Sequence, residues 1–176
     1  MSWPRPIVWL CLFACGCTNA VQTKKSTPAS ASRERLLSCI SGNDPRMKAA
    51  IAEAHAHWDV FVSALQNPAS KQKGFAVKAP FREGRTTEQL WITRLELSDD
   101  NISGTVDDQP VVLRGIHRKQ VVQVTRSQVS DWMFLDQGKI RGGYTIRALR
   151  DSLSGDEKTR FLASFPYAFA DEQPLP

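Results

Sequence analysis

The stretch EQLWITRLELSDDNISGTV, residues 88–106, decides the fold class. In a strand, successive side chains project to opposite faces. Leu90 and Ile92 therefore point one way, and Trp91 and Thr93 the other. Asp99-Asp100-Asn101 supply turn residues, and Ile102 to Val106 returns as the partner strand of a hairpin. Both faces of the first strand carry apolar bulk. Either the sheet is covered on both sides or Trp91 lies on a binding face.

The same period runs outward on both sides. FAVKAPF, residues 75–81, is a short strand ending near Pro80, and KQVVQVTR, residues 119–126, is another, centred on Val122 and Val124. DWMFLD and KIRGGYTIRAL flank a hairpin turn at Asp136-Gln137-Gly138. The adjacent glycines of IRGGYT mark a bulge or a sharp bend, or a point where the backbone approaches a ligand.

Helices close the two ends. Asp44 caps a helix over residues 44–66 with Pro45 at its first position. Met47, Ile51, Ala54, Trp58, Phe61 and Leu65 recur at spacings of three and four and form one apolar stripe, and Asn67-Pro68 stops it. Ser154-Gly155-Asp156-Glu157 is a capping box opening a short final helix. Phe161, Leu162 and Phe165 form its apolar face, Pro166 ends it, and the tail to Pro176 is frayed. The order predicts an α+β domain: an N-terminal helix, a strongly bent antiparallel sheet or one partly closed as a small barrel, and a short C-terminal helix. The expected boundaries are a leader at 1–16, a tether at 17–40 and one domain at 41–170.

The leader MSWPRPIVWLCLFACGC has one arginine before an apolar run from Ile7 to Ala14. That run is far shorter than the ~20 residues that span a bilayer as a helix. It has the length of a secretory signal core. Small residues then precede cysteine, as in bacterial lipoprotein signals. Leu12-Phe13-Ala14-Cys15 makes Cys15 the expected lipidation site, with Cys17 as the alternative. Each buried CH2 of an acyl chain contributes roughly 0.8 kcal/mol, so several chains hold a protein on a membrane. Residues 18–35, rich in Ser, Thr, Ala and Lys, read as a spacer between lipid and domain. If Cys15 carries lipid, Cys17 and Cys39 enter an oxidising compartment, where they could pair.

A net charge of +5 suggests an anionic partner, nucleic acid or a membrane surface. Its location weakens the first. From Leu36 onward there are 18 basic and 17 acidic residues, so the basicity belongs to leader and tether. A cytoplasmic nucleic-acid-binding protein is the alternative if the leader is not processed, and it needs a basic face on the domain. Nucleic acid is not the expected partner.

Few residues suggest chemistry. His55 and His57 lie ~200° apart on a helix and cannot share a metal from one face. The pairs that can meet are His55 with Asp59 and Glu53 with His57. His117 lies in a loop with Arg114, Arg118 and Lys119, which could hold an anion or be solvated. No phosphate loop, dinucleotide fingerprint or nucleophile elbow is present, and no cofactor or metal is expected. Asp131 could cap or brace backbone amides, and Trp132 could be core or a contact surface.

MKAAIAEAHAHWDVFVSAL, FAVKAPF, EQLWI, ISGTVDDQP, VSDWMF and GGYTIRAL occur in the order seen in the YegJ-like family of small bacterial proteins of unknown function, which this chain resembles over residues 44–165. The resemblance implies a compact α+β domain and, in some members, an envelope location. It supplies no activity. Its recurrent positions correspond to Glu88, Trp91, Asp131, Trp132 and Gly143. The expected function is a non-enzymatic envelope lipoprotein with an interaction module, facing another envelope protein, a toxin or a wall polymer through those five residues. The rival is a small hydrolase in which Glu88, Asp131 and His117 converge in one cleft.

Overall fold

The computed structural model describes residues 44–164 and 167–170. Two helices open it, α1 (Pro45–Ala56) and α2 (Trp58–Gln66). Strands follow: β1 (Gln72–Glu83), β2 (Thr86–Ser98), β3 (Asn101–Val106), β4 (Val121–Thr125), β5 (Asp131–Asp136) and β6 (Lys139–Gly142). Helices α3 (Tyr144–Ser152) and α4 (Gly155–Ser164) and a two-residue strand β7 (Ala168–Phe169) end it. The strands form one sheet in the order β4-β3-β2-β1-β5-β6-β7.

The α+β class stands, with two corrections to the sheet. It is open, ending at β4 and β7 rather than closing as a barrel. It is also mixed, because β7 runs parallel to β6 while the other pairs are antiparallel.

Two irregularities set which side chains face the core. The β1–β5 register shifts between Lys73 and Ala76, and the β2–β3 register between Thr93 and Glu96. At the second, Arg94 has a φ of 54°. An extra residue of this kind reverses the alternation beyond it. Leu90 and Ile92 are both buried, and past the bulge Leu95 and Leu97 pack into the core of Ile92 instead of leaving it. Pro80 is tolerated inside β1 because pairing with β5 stops at Lys78. Its missing N–H costs no ladder bond on that open side.

The core lies between α1–α2 and one sheet face. Trp58, Phe61, Val77, Ile92, Trp132 and Phe134 are among its buried members. The rings of Phe61 and Trp132 lie 5.4 Å apart and those of Phe75 and Phe134 5.0 Å. Trp132 is wholly buried and its indole N–H donates to the Ala54 carbonyl at 2.8 Å. One side chain on β5 thus joins sheet to helix by packing and by a satisfied polar tip.

The expected helix over 44–66 is two helices. Asp44 caps it, accepting from the Arg46 amide at 2.8 Å, and Pro45 is its first residue. The break falls at His57, with φ −105° and ψ 21°. Its Nδ1–H donates to the Glu53 carbonyl at 2.9 Å, the same oxygen that accepts from its backbone N–H at 3.1 Å, so both donors of His57 close the end of α1. The apolar stripe survives, since Ala54, Trp58 and Phe61 remain buried.

The strand expected across KIRGGYTIRAL ends at Gly142, and α3 begins at Tyr144. Gly142 and Gly143 have φ of 75° and 66°, a conformation open to glycine at little cost. A Cβ on Gly142 would lie 2.2 Å from the Trp132 carbonyl oxygen. Of the readings open for this pair, the sharp bend is the one observed. The final helix opens at Gly155, directly after Ser154, and its first turn is closed by the main chain, the Glu157 N–H donating to the Ser154 carbonyl at 3.2 Å. Leu162 is 47% exposed, so it does not form the expected apolar face. Phe165 and Pro166 lie outside the described residues, as do the leader at 1–16, the tether at 17–40, Cys15, Cys17 and Cys39. No helix among the described residues is long and apolar enough to cross a membrane.

Candidate functional site

Asp131 opens β5 and is wholly buried. Its carboxylate accepts from the amides of Trp132 at 2.9 Å, Tyr144 at 3.1 Å and Thr145 at 2.8 Å, and from the Thr145 hydroxyl at 2.6 Å. The reason lies in α3. Its N-cap is Gly143, which has no side chain to satisfy the first amides of the helix. Asp131 supplies that acceptor from another element, and its negative charge sits at the positive end of the helix. Burial pushes its carboxyl up from the usual carboxylate range, opposed by the Thr145 hydroxyl, the Lys78 ammonium and the amides.

Lys78 faces Asp131 across β1–β5 and Trp91 across β1–β2. All three therefore lie on the sheet face opposite the α1–α2 core. Lys78 is half-buried, its Nζ 3.4 Å from the Thr145 hydroxyl and 5.6 Å from the centre of the Trp91 ring. Thr145 accepts from Lys78 and donates to Asp131, linking the two charges. Burial lowers the Lys78 pKa, opposed by Asp131 and then Asp108. Asp108 comes from the loop after β3, and its Oδ2 accepts from the Trp91 amide at 2.7 Å. Burial pushes it up to about 6, opposed by the Trp91 amide and by Lys78. Lys78, Asp108, Asp131 and Thr145 thus form a polar cluster beside the half-buried Trp91 indole.

Glu88 serves a different structure. It accepts from the amides of Val111 at 2.8 Å, Val112 at 3.0 Å and Leu113 at 3.2 Å. Glu83 does the same for Arg114 at 2.7 Å. Two carboxylates thereby pin the 107–120 loop, whose Leu113 packs with Leu90 and Val106. An anion in the Arg114–Lys119 loop would meet these carboxylates. Arg118 is engaged as well, its Nε donating to the Asp107 carbonyl at 2.8 Å.

The five expected contact residues do not share a surface. Glu88 and Trp91 are partly exposed, while Asp131, Trp132 and Gly143 are buried. Glu88 pairs with Phe81, and Asp131 with Lys78. Those positions are three residues apart on β1, ~10 Å along the strand and on opposite faces. His117 is exposed in the loop. The acid–base trio is therefore not assembled, and both its carboxylates are occupied by backbone donors. His55 donates through Nε2–H to the Val129 carbonyl instead of meeting Asp59. Glu53 does meet His57, at 3.5 Å. No group of three metal-ligating side chains occurs among the described residues.

Lys78, Asp108 and Thr145 escaped sequence reading. Lys78 had a signal: it is the one charge inside FAVKAPF, at the parity that faces away from Val77 and Ala79. Asp108 and Thr145 had none, because neither belongs to a period. A separate groove of about 370 Å3 lies among His55, Trp58, Asp100, Thr125, Arg126 and Ser127.

The chain is 29% identical to the uncharacterized protein YegJ of Escherichia coli (strain K12) over 126 residues, covering 72% of this chain and 73% of that one. It is 31% identical over 99 residues to a putative ankyrin repeat protein of Neisseria meningitidis serogroup B, covering 54% of this chain and 39% of that one. No solved structure matches. Residues 44–169, from the cap of α1 to the last residue of β7, match the family described as an uncharacterized protein conserved in bacteria, DUF2314, and the chain belongs to that family.

Proposed function

We propose that this domain is a non-enzymatic binding module of the bacterial cell envelope, held to the membrane by lipid on Cys15, with Cys17 as the alternative, and facing the periplasm. Its contact surface is the sheet face around Trp91 and Lys78, and its partner is an envelope protein or a wall polymer. The observation that carries this reading is the half-buried Trp91 indole beside an ammonium with one long hydrogen bond, on the face that the α1–α2 core leaves free. An amphipathic ring next to an incompletely satisfied donor suits recognition. Asp131, Trp132 and Gly143 support this face from beneath rather than touching the partner. Glu88 holds three backbone amides and Asp131 three amides and a hydroxyl, which supports binding over acid–base chemistry.

The test places a photo-crosslinking side chain at position 91 in the full-length chain, in living bacteria, with position 151 as an exposed control. Adducts with an envelope protein or with wall material from position 91 alone are expected. Adducts equal at both positions, or none at 91, overturn the surface. The mass of the N-terminal peptide tests the anchor: an unmodified Met1 leader overturns the envelope location.

A further inference from the structure

The edge of the sheet at β4 bears on a different surface from that of Trp91. Two hydrogen bonds set the phase of the β3–β4 ladder: Val106 N–H to Gln120 O at 2.9 Å, and Arg126 N–H to Asp100 O at 2.8 Å. In an antiparallel pair, bonded and non-bonded positions alternate. Val122 and Val124 therefore bond to β3, and the N–H and C=O groups of Val121 and Gln123 turn outward. These have no partner among the described residues. The third outward amide, that of Thr125, donates to Gln128 Oε1 at 2.8 Å, so the turn that follows closes the edge there.

Proteins usually blunt such an edge with a charge, a proline or a bulge inside it. Residues 121–125 carry none of these, and Val121 is 74% exposed. The charges stand at the two ends instead, Lys119 and Arg126, both exposed, the Arg126 guanidinium lying 5.9 Å from the centre of the Trp58 ring with no carboxylate paired to it among the described residues. Arg118 is also basic but is paired with Asp107 at 3.7 Å.

We infer that the free edge of β4 docks an extended acidic polypeptide segment, which adds to the sheet as an eighth strand through the main-chain groups of Val121 and Gln123. This mode takes its affinity from main-chain bonds and its selectivity from side chains along the edge. The flanking cations select the partner. A second copy pairing about Gln123 would gather both copies' Lys119 and Arg126 around one short ladder, which like-charge repulsion disfavours. A segment with carboxylates at its ends meets the opposite charge.

The experiment uses the full-length protein and a seven-residue peptide of alternating Glu and Val, against its Lys–Val counterpart. The readout is amide hydrogen exchange resolved by residue. The Glu–Val peptide is expected to slow exchange at Val121 and Gln123 at least fivefold. Val122 and Val124, already bonded, should change little, and the Lys–Val peptide should do nothing. Neutralising the ends with Lys119→Asn and Arg126→Gln should abolish the effect while the far-ultraviolet spectrum stays unchanged; Asn also tolerates the left-handed backbone of position 119. Equal protection by both peptides, or none at these two amides, overturns the inference. Protection that appears without peptide and grows with protein concentration overturns it in favour of a second copy.

Discussion

Thr145 gives both its backbone N–H, at 2.8 Å, and its hydroxyl, at 2.6 Å, to a single oxygen of Asp131, fourteen residues earlier in the chain. The first turn of α3 is thereby capped by the first residue of β5. Replacing Asp131 with Ala strands two helix amides, the Trp132 amide and a hydroxyl in a dry site. Each unsatisfied donor costs about 1–3 kcal/mol, so the total loss should reach about 4 kcal/mol. Thr145→Val should cost about 1–2 kcal/mol, because the amide bond remains. Urea unfolding measures both. An Asp131→Ala loss under about 1 kcal/mol would show that Asp131 does not hold the start of α3.

Two glycines with similar backbone angles should respond differently to alanine. Gly138 has a φ of 81° and open space around it, while a Cβ on Gly142 would strike Trp132. Gly138→Ala should cost about 1 kcal/mol, from the left-handed backbone alone. Gly142→Ala should cost about 3 kcal/mol or more, since the core ring or the bend must move. Thermal unfolding compares them, and equal shifts would mean that the bend yields freely.

Asp108 should make the protein less stable as pH rises from about 4 to 7. Its carboxyl is raised from 3.8 to about 6 by burial. Between those values the folded chain binds more protons than the unfolded one, so unfolding free energy falls with rising pH. Below 3.8 both states are protonated and the penalty is absent; above about 6 it is complete, at most ~3 kcal/mol. Asp108→Asn keeps an acceptor for the Trp91 amide and should remove this part of the slope. Urea midpoints at pH 4.5 and 7.5 check it, and an unchanged slope would refute the assignment.

Glu88 should control one loop rather than the whole fold. Glu88→Ala leaves the amides of Val111, Val112 and Leu113 without their acceptor. Val111 and Val112 are exposed, so water replaces the lost bonds there, and global stability should fall by only about 1–2 kcal/mol. Hydrogen exchange at those three amides should quicken at least tenfold while Ile92 and Trp132 hold. Uniform quickening across the sheet would show that the clamp belongs to the core.

Local patterns in the chain were sufficient for most elements. Alternation located β2, β3, β4 and β5, and two charged turns located their hairpins. Asp44 and Pro45 located the start of α1, and the apolar stripe identified which helix residues are buried. These are short-range signals, because cap, turn and period act within a few residues. The class of the domain follows from their order alone.

What contacts decided is of another kind. The bulge at Arg94 returns Leu95 and Leu97 to the core, against strict alternation, because a long strand must stay packed on its helices. The GGYTIRAL segment reads locally as a strand with a bend. It becomes a helix because Asp131, brought beside it by the β5–β6 hairpin, satisfies the amides that Gly143 cannot. Glu88, Asp131 and His117 suggested a reacting centre by residue type. Strand register places the two acids on opposite faces and ties each to backbone amides. The sequence by itself determined most of the strands, the start of α1 and the class of the domain, through interactions between near neighbours. Only the tertiary structure decided which charges meet, because the partners of Lys78, Asp131 and Glu88 are set by strand register and loop closure across distances that no local period encodes.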